Sequence, residues 1–572
     1  MSEHQARMMA ALYSGAIGSK IGSLSRVSTG FSQAPGGKTA LISYLTTGKT
    51  VVTAPVVDQT IDYVIVGAGA TGAYLAKRLS LQFPDAKILI LEKESDVGGR
   101  LRSINHATST DELAQVELGG MRYFPSIHTI TDNVVKLLDL SAVEVPYVQD
   151  NGVFYARASS FKNDQLAGTD LVDGTDKVYF IDGAEKQPGV PIDARITDNI
   201  TRLLTTGNLN FANRKELFGS ESSTLDFRGA VMNGYNTISN EYWTRFCEVS
   251  GYASLFNTNM SFLVGANELL SLDDKDKTQY FIKQGYQEIP GKLVTDFAKP
   301  SIQQVVAKNM AAKNNILHGV SLSKFELVSN NKVKLYITDN DNNKFQFETK
   351  NLYICTPKES ILNINGFSGK FIDQMHNNLT QVPLFKMFLH YDSKWWGDLD
   401  ISNGRSTTDL NLNQVWFYSE NLIMIYAVGD DANYWANRIP VANQPSFTSD
   451  SLPVVEEITD ELNKMFPLES GTVPLPGQIA WSYWLNGASV WAPFNLHTFD
   501  KTQKISTIRQ ELMYPLTEND HRVCYLNNDI SLNQGWVEGC FEIVDEFLQE
   551  KFNMGSVPDP LVSGDWASMS LG

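Results

Sequence analysis

A chain of 572 residues, 42% hydrophobic and 19% charged, is long enough for two or more domains and ordinary enough in composition to bury a large core. Its formal charge of -17 repels phosphate backbones and anionic lipid, which argues against nucleic acid and membrane surfaces as partners, and no apolar run reaches the roughly 20 residues of a bilayer span. Cys247, Cys355, Cys524 and Cys540 are scattered without disulfide or metal-ligand spacing and the histidines are equally dispersed, so buried thiols and no metal are expected.

Residues 1–57 are rich in Ser, Gly and Thr and read as an N-terminal extension. They lack the basic start, longer apolar centre and clear cleavage site of a secretory signal. A cytoplasmic location is expected, with a secreted one open if a leader has been removed.

Residues 62–102, DYVIVGAGATGAYLAKRLSLQFPDAKILILEKESDVGGRLR, read as strand, glycine turn, amphipathic helix, second strand and acidic end. Each part has a physical task in holding a dinucleotide. Gly67 permits the tight turn, Gly69 lets the backbone approach a pyrophosphate, and Gly72 lets the helix pack closely on the strand. Phosphates are expected on the helix N-terminus, where Ala70 and Thr71 stand, because free N–H groups and the positive dipole end favour negative charge. Glu92, 20 residues past Gly72, is spaced to accept hydrogen bonds from a ribose diol. The tail containing Gly98, Gly99 and Arg100 resembles the second signature of flavin-dependent amine oxidases, whose glycine pair and arginine lie along FAD. That resemblance implies FAD rather than NAD.

The run VELGGMRYFPS follows, with Gly120, Met121 and Arg122. Read alone, it is a strand ending in a glycine turn, and its arginine could form a surface ion pair. Beside the earlier signatures it resembles the motif of L-amino-acid oxidases and the related tryptophan and lysine monooxygenases, in which the arginine pairs with the substrate carboxylate. Arginine suits that task because its planar fork makes two parallel charge-assisted hydrogen bonds.

Residues 147–272 are mixed and aromatic, with helical patterns near 198–204 and 240–256 but no evident chemistry. Residues 279–297 resemble a family segment in which a glycine turn leads into a proline-started helix. Alternation over 316–356 predicts a β-meander turning at Asn330 and Asn331, and the resemblance puts Val320 near the adenine end. The likeness is densest over 385–433, where FKMFLHYDSKWWGD is similar to the strand carrying a lysine under the flavin, here Lys386. In VWFYSE, Tyr418 stands where the family has a tyrosine on the substrate carboxylate. Further on, Gly487 and Ala488 match a small-residue pair, and Trp491 is a pocket or core residue. In the last segment, the resemblance gives the Gly535 carbonyl to the substrate amino group, Trp536 to a wall of the site, and Val537 to the cofactor. Many relatives carry a Gly-Glu pair here, with the acid on the ribityl chain; the positions read Asn527, Asn528 and Asp529, so Asp529 is the candidate substitute.

The expected fold is α/β. A Rossmann-like FAD-binding domain is built from discontinuous segments (58–125, 280–357 and 520–556), beside a mixed α+β substrate-binding domain with a helical insert (126–279 and 358–519). The family resemblance implies oxidation of an L-α-amino acid to a 2-oxo acid, with ammonia and hydrogen peroxide released. It also implies molecular oxygen as co-substrate and a homodimer or higher homo-oligomer. FAD is expected to be non-covalent, since no cysteine stands in the loops where covalent amine oxidases attach the ring. Three alternatives stay open: an amino-acid monooxygenase giving an amide, an amine or polyamine oxidase, and a flavoprotein kept for binding alone.

Overall fold

The computed structural model describes residues 61–556, with breaks at 107–114, 146–151, 163–165, 167–171, 174–175, 182–193, 207–213, 273–277, 440–443 and 486–490 and shorter ones elsewhere. The expected N-terminal extension and the Gly487 and Ala488 pair lie outside the described residues.

The strand Ile61–Val66 pairs in parallel with Ile88–Leu91 on one side and with Lys344–Ile354 on the other. Its apolar, β-branched run is what a strand covered on both faces requires. Asn314–Leu317 adds to the far side of Ile88–Leu91, again in parallel. Lys344–Ile354 is shared between two arrangements. Its first half pairs antiparallel with Lys332–Asp339, and its end pairs parallel with Val523–Tyr525. The expected meander is therefore present: Val320–Val328, Lys332–Asp339 and Lys344–Ile354 succeed one another antiparallel, with Asn331 in the left-handed region at φ 54°. The helices Ala70–Gln82 and Val537–Phe552 pack against each other beside this sheet, Tyr74 and Phe541 touching at 4.5 Å between ring centroids.

A second sheet of eight strands has the order 444–448, 478–484, 384–390, 422–428, 414–419, 404–408, 153–156, 159–162. Strand alternation assigns its side chains to two separate cores. Along Leu384–His390, Phe385, Met387 and Leu389 enter one, whereas Leu384 and Phe388 enter the other, with Lys386 between them in sequence and sharing their parity. The second core is completed by the insert helices, including Asn240–Ser250, Ala253–Phe256 and Phe262–Leu272. The helical pattern over 240–256 is broken at Gly251, whose φ of 69° ends the first helix in a left-handed cap and restarts the chain at Tyr252. No helix among the described residues is long and apolar enough to cross a membrane.

Candidate functional site

The first strand ends at Gly67, where φ is 99°, a conformation that disfavours any side chain. A Cβ on Gly72 would meet the Gly67 carbonyl oxygen at 2.0 Å, so the first helical turn sits on the turn itself. Gly69 and Gly98 form a parallel bridge, and Gly99 has φ 59°, laying the two glycine segments against each other. The helix begins with no acidic residue in its first turn, leaving its N-terminal N–H groups and dipole favourable to an anion. Glu92 is buried and accepts from the Ala68 N–H at 2.7 Å and the Glu94 N–H at 2.8 Å. Burial pushes its carboxyl up, and those backbone bonds oppose the shift. Gly72→Ala should therefore lower stability by about 1–3 kcal/mol, the usual cost of overpacking, with weaker flavin retention. Thermal melting and the flavin-to-protein ratio measure both, and wild-type values would show that the turn tolerates a Cβ.

A cavity of about 530 Å³ runs from this turn toward the second sheet. Ala70, Thr71, Glu92, Gly99, Arg100 and Val320 line it, as do Gly67 and Gly69. Gly120, Met121, Arg122 and Lys386 also line it, together with Gly535, Trp536 and Val537.

The loop carrying Arg122 is held by the second sheet. Lys386 is fully buried, and its Nζ donates to the Glu117 carbonyl at 3.0 Å and the Gly119 carbonyl at 2.5 Å. The intervening Leu118 carbonyl accepts from Ser482 Oγ at 2.8 Å and Trp484 Nε1 at 2.7 Å. Three successive carbonyls are thus tied to two adjacent strands. Beneath the loop, the Glu117 carboxylate accepts from Ser103 Oγ and the Tyr286 N–H, both at 2.7 Å. Burial pulls the Lys386 ammonium down and pushes the Glu117 carboxyl up, each partly offset by the opposite charge of the other. Arg122 itself is buried. Its guanidinium carbon lies 4.8 Å from the Trp416 ring centroid and 5.6 Å from that of Trp536, and Nη2 approaches the Tyr252 hydroxyl at 3.4 Å. Both indole faces attract the cation and help hold the guanidinium at the cavity wall.

A family model for flavin-containing amine oxidoreductases matches residues 72–542. The chain belongs to that family. Among curated relatives, an uncharacterised protein of Acanthamoeba polyphaga mimivirus is 26% identical over 530 residues, 87% of this chain and 95% of that one. Achacin of Lissachatina fulica is 22% identical across 75% of this chain and 82% of its own length. The L-amino-acid oxidase of Echis ocellatus is 24% identical across 65% and 69% respectively. The solved structure of cyclohexylamine oxidase from Brevibacterium oxydans IH-35A superposes with a TM-score of 0.59 at 14% identity, covering 86% of this chain and 100% of that one. That likeness carries the fold.

Within this amine oxidoreductase, three sequence-derived residues stand away from the cavity wall. Tyr418 is enclosed by Phe281 and Phe388, at 5.5 and 5.4 Å between ring centroids, and does not line the cavity. On its strand Trp416 is the residue over Arg122, and the hydroxyl near the guanidinium belongs to Tyr252. Asp529 is fully buried behind the wall: Oδ1 pairs with Arg100 Nη1 at 2.9 Å, and Oδ2 accepts from the Lys358 N–H at 2.9 Å and Asn495 Nδ2 at 3.0 Å. Both of its oxygens are engaged by protein, and it does not line the cavity. Trp491 packs on Trp484 at 4.7 Å, and Trp484 is the one of the two that lines the cavity.

Sequence reasoning missed Tyr252, Trp416, Glu268 and Asn528. Asn528 Nδ2 donates to the Trp536 carbonyl at 2.7 Å while its Oδ1 accepts from the Gly535 N–H at 2.8 Å, so it shapes the turn in which Gly535 has φ 82°. The glycine cradle, the open helix N-terminus and the buried Glu92 fit a flavin dinucleotide held at its phosphate and ribose end.

Proposed function

We propose that the chain oxidises an L-α-amino acid to its 2-oxo acid with non-covalent FAD, releasing ammonia and hydrogen peroxide. The observation that carries this reading is Arg122, a buried guanidinium on the cavity wall with its carbon over the Trp416 and Trp536 rings. An amine substrate gives such a cation nothing to bind, whereas an α-carboxylate matches its fork. FAD, when bound, supplies a two-electron acceptor that oxygen regenerates. The protein's own residues do the rest. Arg122 holds the carboxylate and thereby orients Cα. The Gly535 carbonyl accepts from the amino group, and Trp536 walls the site. Lys386 keeps a fixed cation in a water-poor region where charge develops on oxygen.

Non-covalent attachment is supported by the thiols. The two cysteines that line the cavity, Cys355 and Cys540, lie by the glycine turn: Cys355 adjoins Gly67, and Cys540 hydrogen-bonds Thr71. Burial pushes both thiols up, away from the reactive thiolate. Acid precipitation should leave yellow FAD in the supernatant; colour retained in the pellet would refute the claim. The function itself is tested by screening the twenty amino acids and their decarboxylated amines for peroxide release. Acids should turn over and the matching amines should not.

A further inference from the structure

The helix Phe262–Leu272 brings Val264, Asn267 and Glu268 to the cavity wall, a spacing of i, i+3 and i+4 that puts all three on one helical face. Glu268 accepts a hydrogen bond from Trp536 Nε1 at 2.9 Å. The same indole has the Arg122 guanidinium 5.6 Å from its ring centroid. One tryptophan therefore carries an anion at its edge and a cation at its face, and both charged residues line the same cavity. An ionised carboxylate has two oxygens and about four lone-pair positions, of which the indole occupies one. Burial pushes the Glu268 carboxyl up, while Trp536 and the Arg122 charge pull it back toward the ionised form. A carboxylate so enclosed is stabilised by a ligand cation with N–H donors.

We infer that Glu268 selects amino acids with a cationic side chain, receiving the side-chain ammonium or guanidinium while Arg122 receives the α-carboxylate. This assignment rests on the amino-acid reading proposed above. The α-nitrogen is a poor alternative partner. Its lone pair must form the C=N bond as the Cα hydrogen leaves with its electron pair, and a carboxylate gripping that nitrogen would hold it in the ammonium form. Beside Asn267 and Tyr252, the cavity wall carries the apolar side chains of Leu255, Phe256, Met260, Val264 and Leu532. Such a surface takes the methylene stem of a long side chain and leaves only its charged end to be satisfied.

The test compares L-lysine with L-norleucine, which carries the same four-carbon stem with hydrogen in place of the terminal ammonium, in the flavin-loaded wild type and in Glu268→Gln. The amide keeps an oxygen for the Trp536 N–H and removes the charge. Wild type should favour lysine, and Glu268→Gln should lower the lysine-over-norleucine ratio of kcat/KM by about 10- to 100-fold, the scale of one charged hydrogen bond. Calorimetric lysine binding to the dithionite-reduced holoenzyme, whose flavin can accept no hydride, should weaken in parallel, with melting temperature and bound flavin unchanged. A wild type that oxidises norleucine as well as lysine overturns the assignment and leaves the amino-acid reading intact, as does an unchanged ratio in the variant. Turnover of amines alone overturns both.

Discussion

Arg122→Ala is expected to reduce kcat/KM for an L-amino acid by about 10²–10³-fold while bound flavin stays at the wild-type level. The loss has two parts. The substrate carboxylate forfeits two charge-assisted hydrogen bonds, and Cα is no longer held in one orientation, so the reacting C–H samples unproductive positions. The second part makes the geometry around the guanidinium informative. Trp416 and Trp536 present their rings to it, and Tyr252 meets one Nη. Arg122→Lys keeps the charge but presents neither a fork nor a flat face for stacking, so it should recover only part of the activity. Steady-state kinetics on an amino acid and its decarboxylated amine measure the effect. An alanine variant that still prefers the acid over the amine to the wild-type extent would remove Arg122 from the carboxylate site.

Lys386→Met should slow reaction of the substrate-reduced enzyme with oxygen by about 10²-fold while anaerobic reduction by the amino acid stays within about tenfold. Negative charge develops on oxygen as it takes electrons, and Lys386 is the cation fixed on that wall by the Glu117 and Gly119 carbonyls. Burial pulls its ammonium below the ordinary lysine range. A lysine is charged below its pKa, so the oxygen step should weaken as pH rises through that lowered value, and Lys386→Met should lack this dependence. The substitution also deprives two buried carbonyls of a donor, at a cost of about 1–3 kcal/mol each. Stopped-flow absorbance separates the possibilities. If oxygen reacts at the wild-type rate while melting temperature falls and KM rises, Lys386 holds the Arg122 loop and takes no part in the oxygen step.

The features legible in the sequence are those in which backbone constraint and local order coincide. Gly67, Gly69 and Gly72 sit in a strand–turn–helix that permits few other arrangements, and the Gly72 position against the Gly67 carbonyl follows from spacing alone. Arg122 and Lys386 came from matched runs. Alternation gives Lys386 the parity of Leu384 and Phe388, but which face of the sheet opened on a cavity was set by the insert helices packed against it. The same limit applies at Tyr418: Trp416 and Tyr418 share a face, and the closing of Phe281 and Phe388 over the second of them leaves the first over Arg122. Asp529 has a partner with no local signal: Arg100, more than 400 residues earlier, pairs with it. Tyr252 and Glu268 come from an insert whose pattern reports only helices, and their approach to Arg122 and Trp536 is a tertiary event with no local signal.

Product stoichiometry tests the central claim most directly. For an amino acid that the flavin-loaded enzyme turns over, ammonia and hydrogen peroxide should appear one for one with oxygen consumed, and with catalase present, which spares the 2-oxo acid from peroxide and returns half of the oxygen, two molecules of 2-oxo acid should appear per net oxygen. Accumulation of an amide one carbon shorter than the substrate, without free ammonia, would contradict oxidative deamination and assign the chain to oxidative decarboxylation.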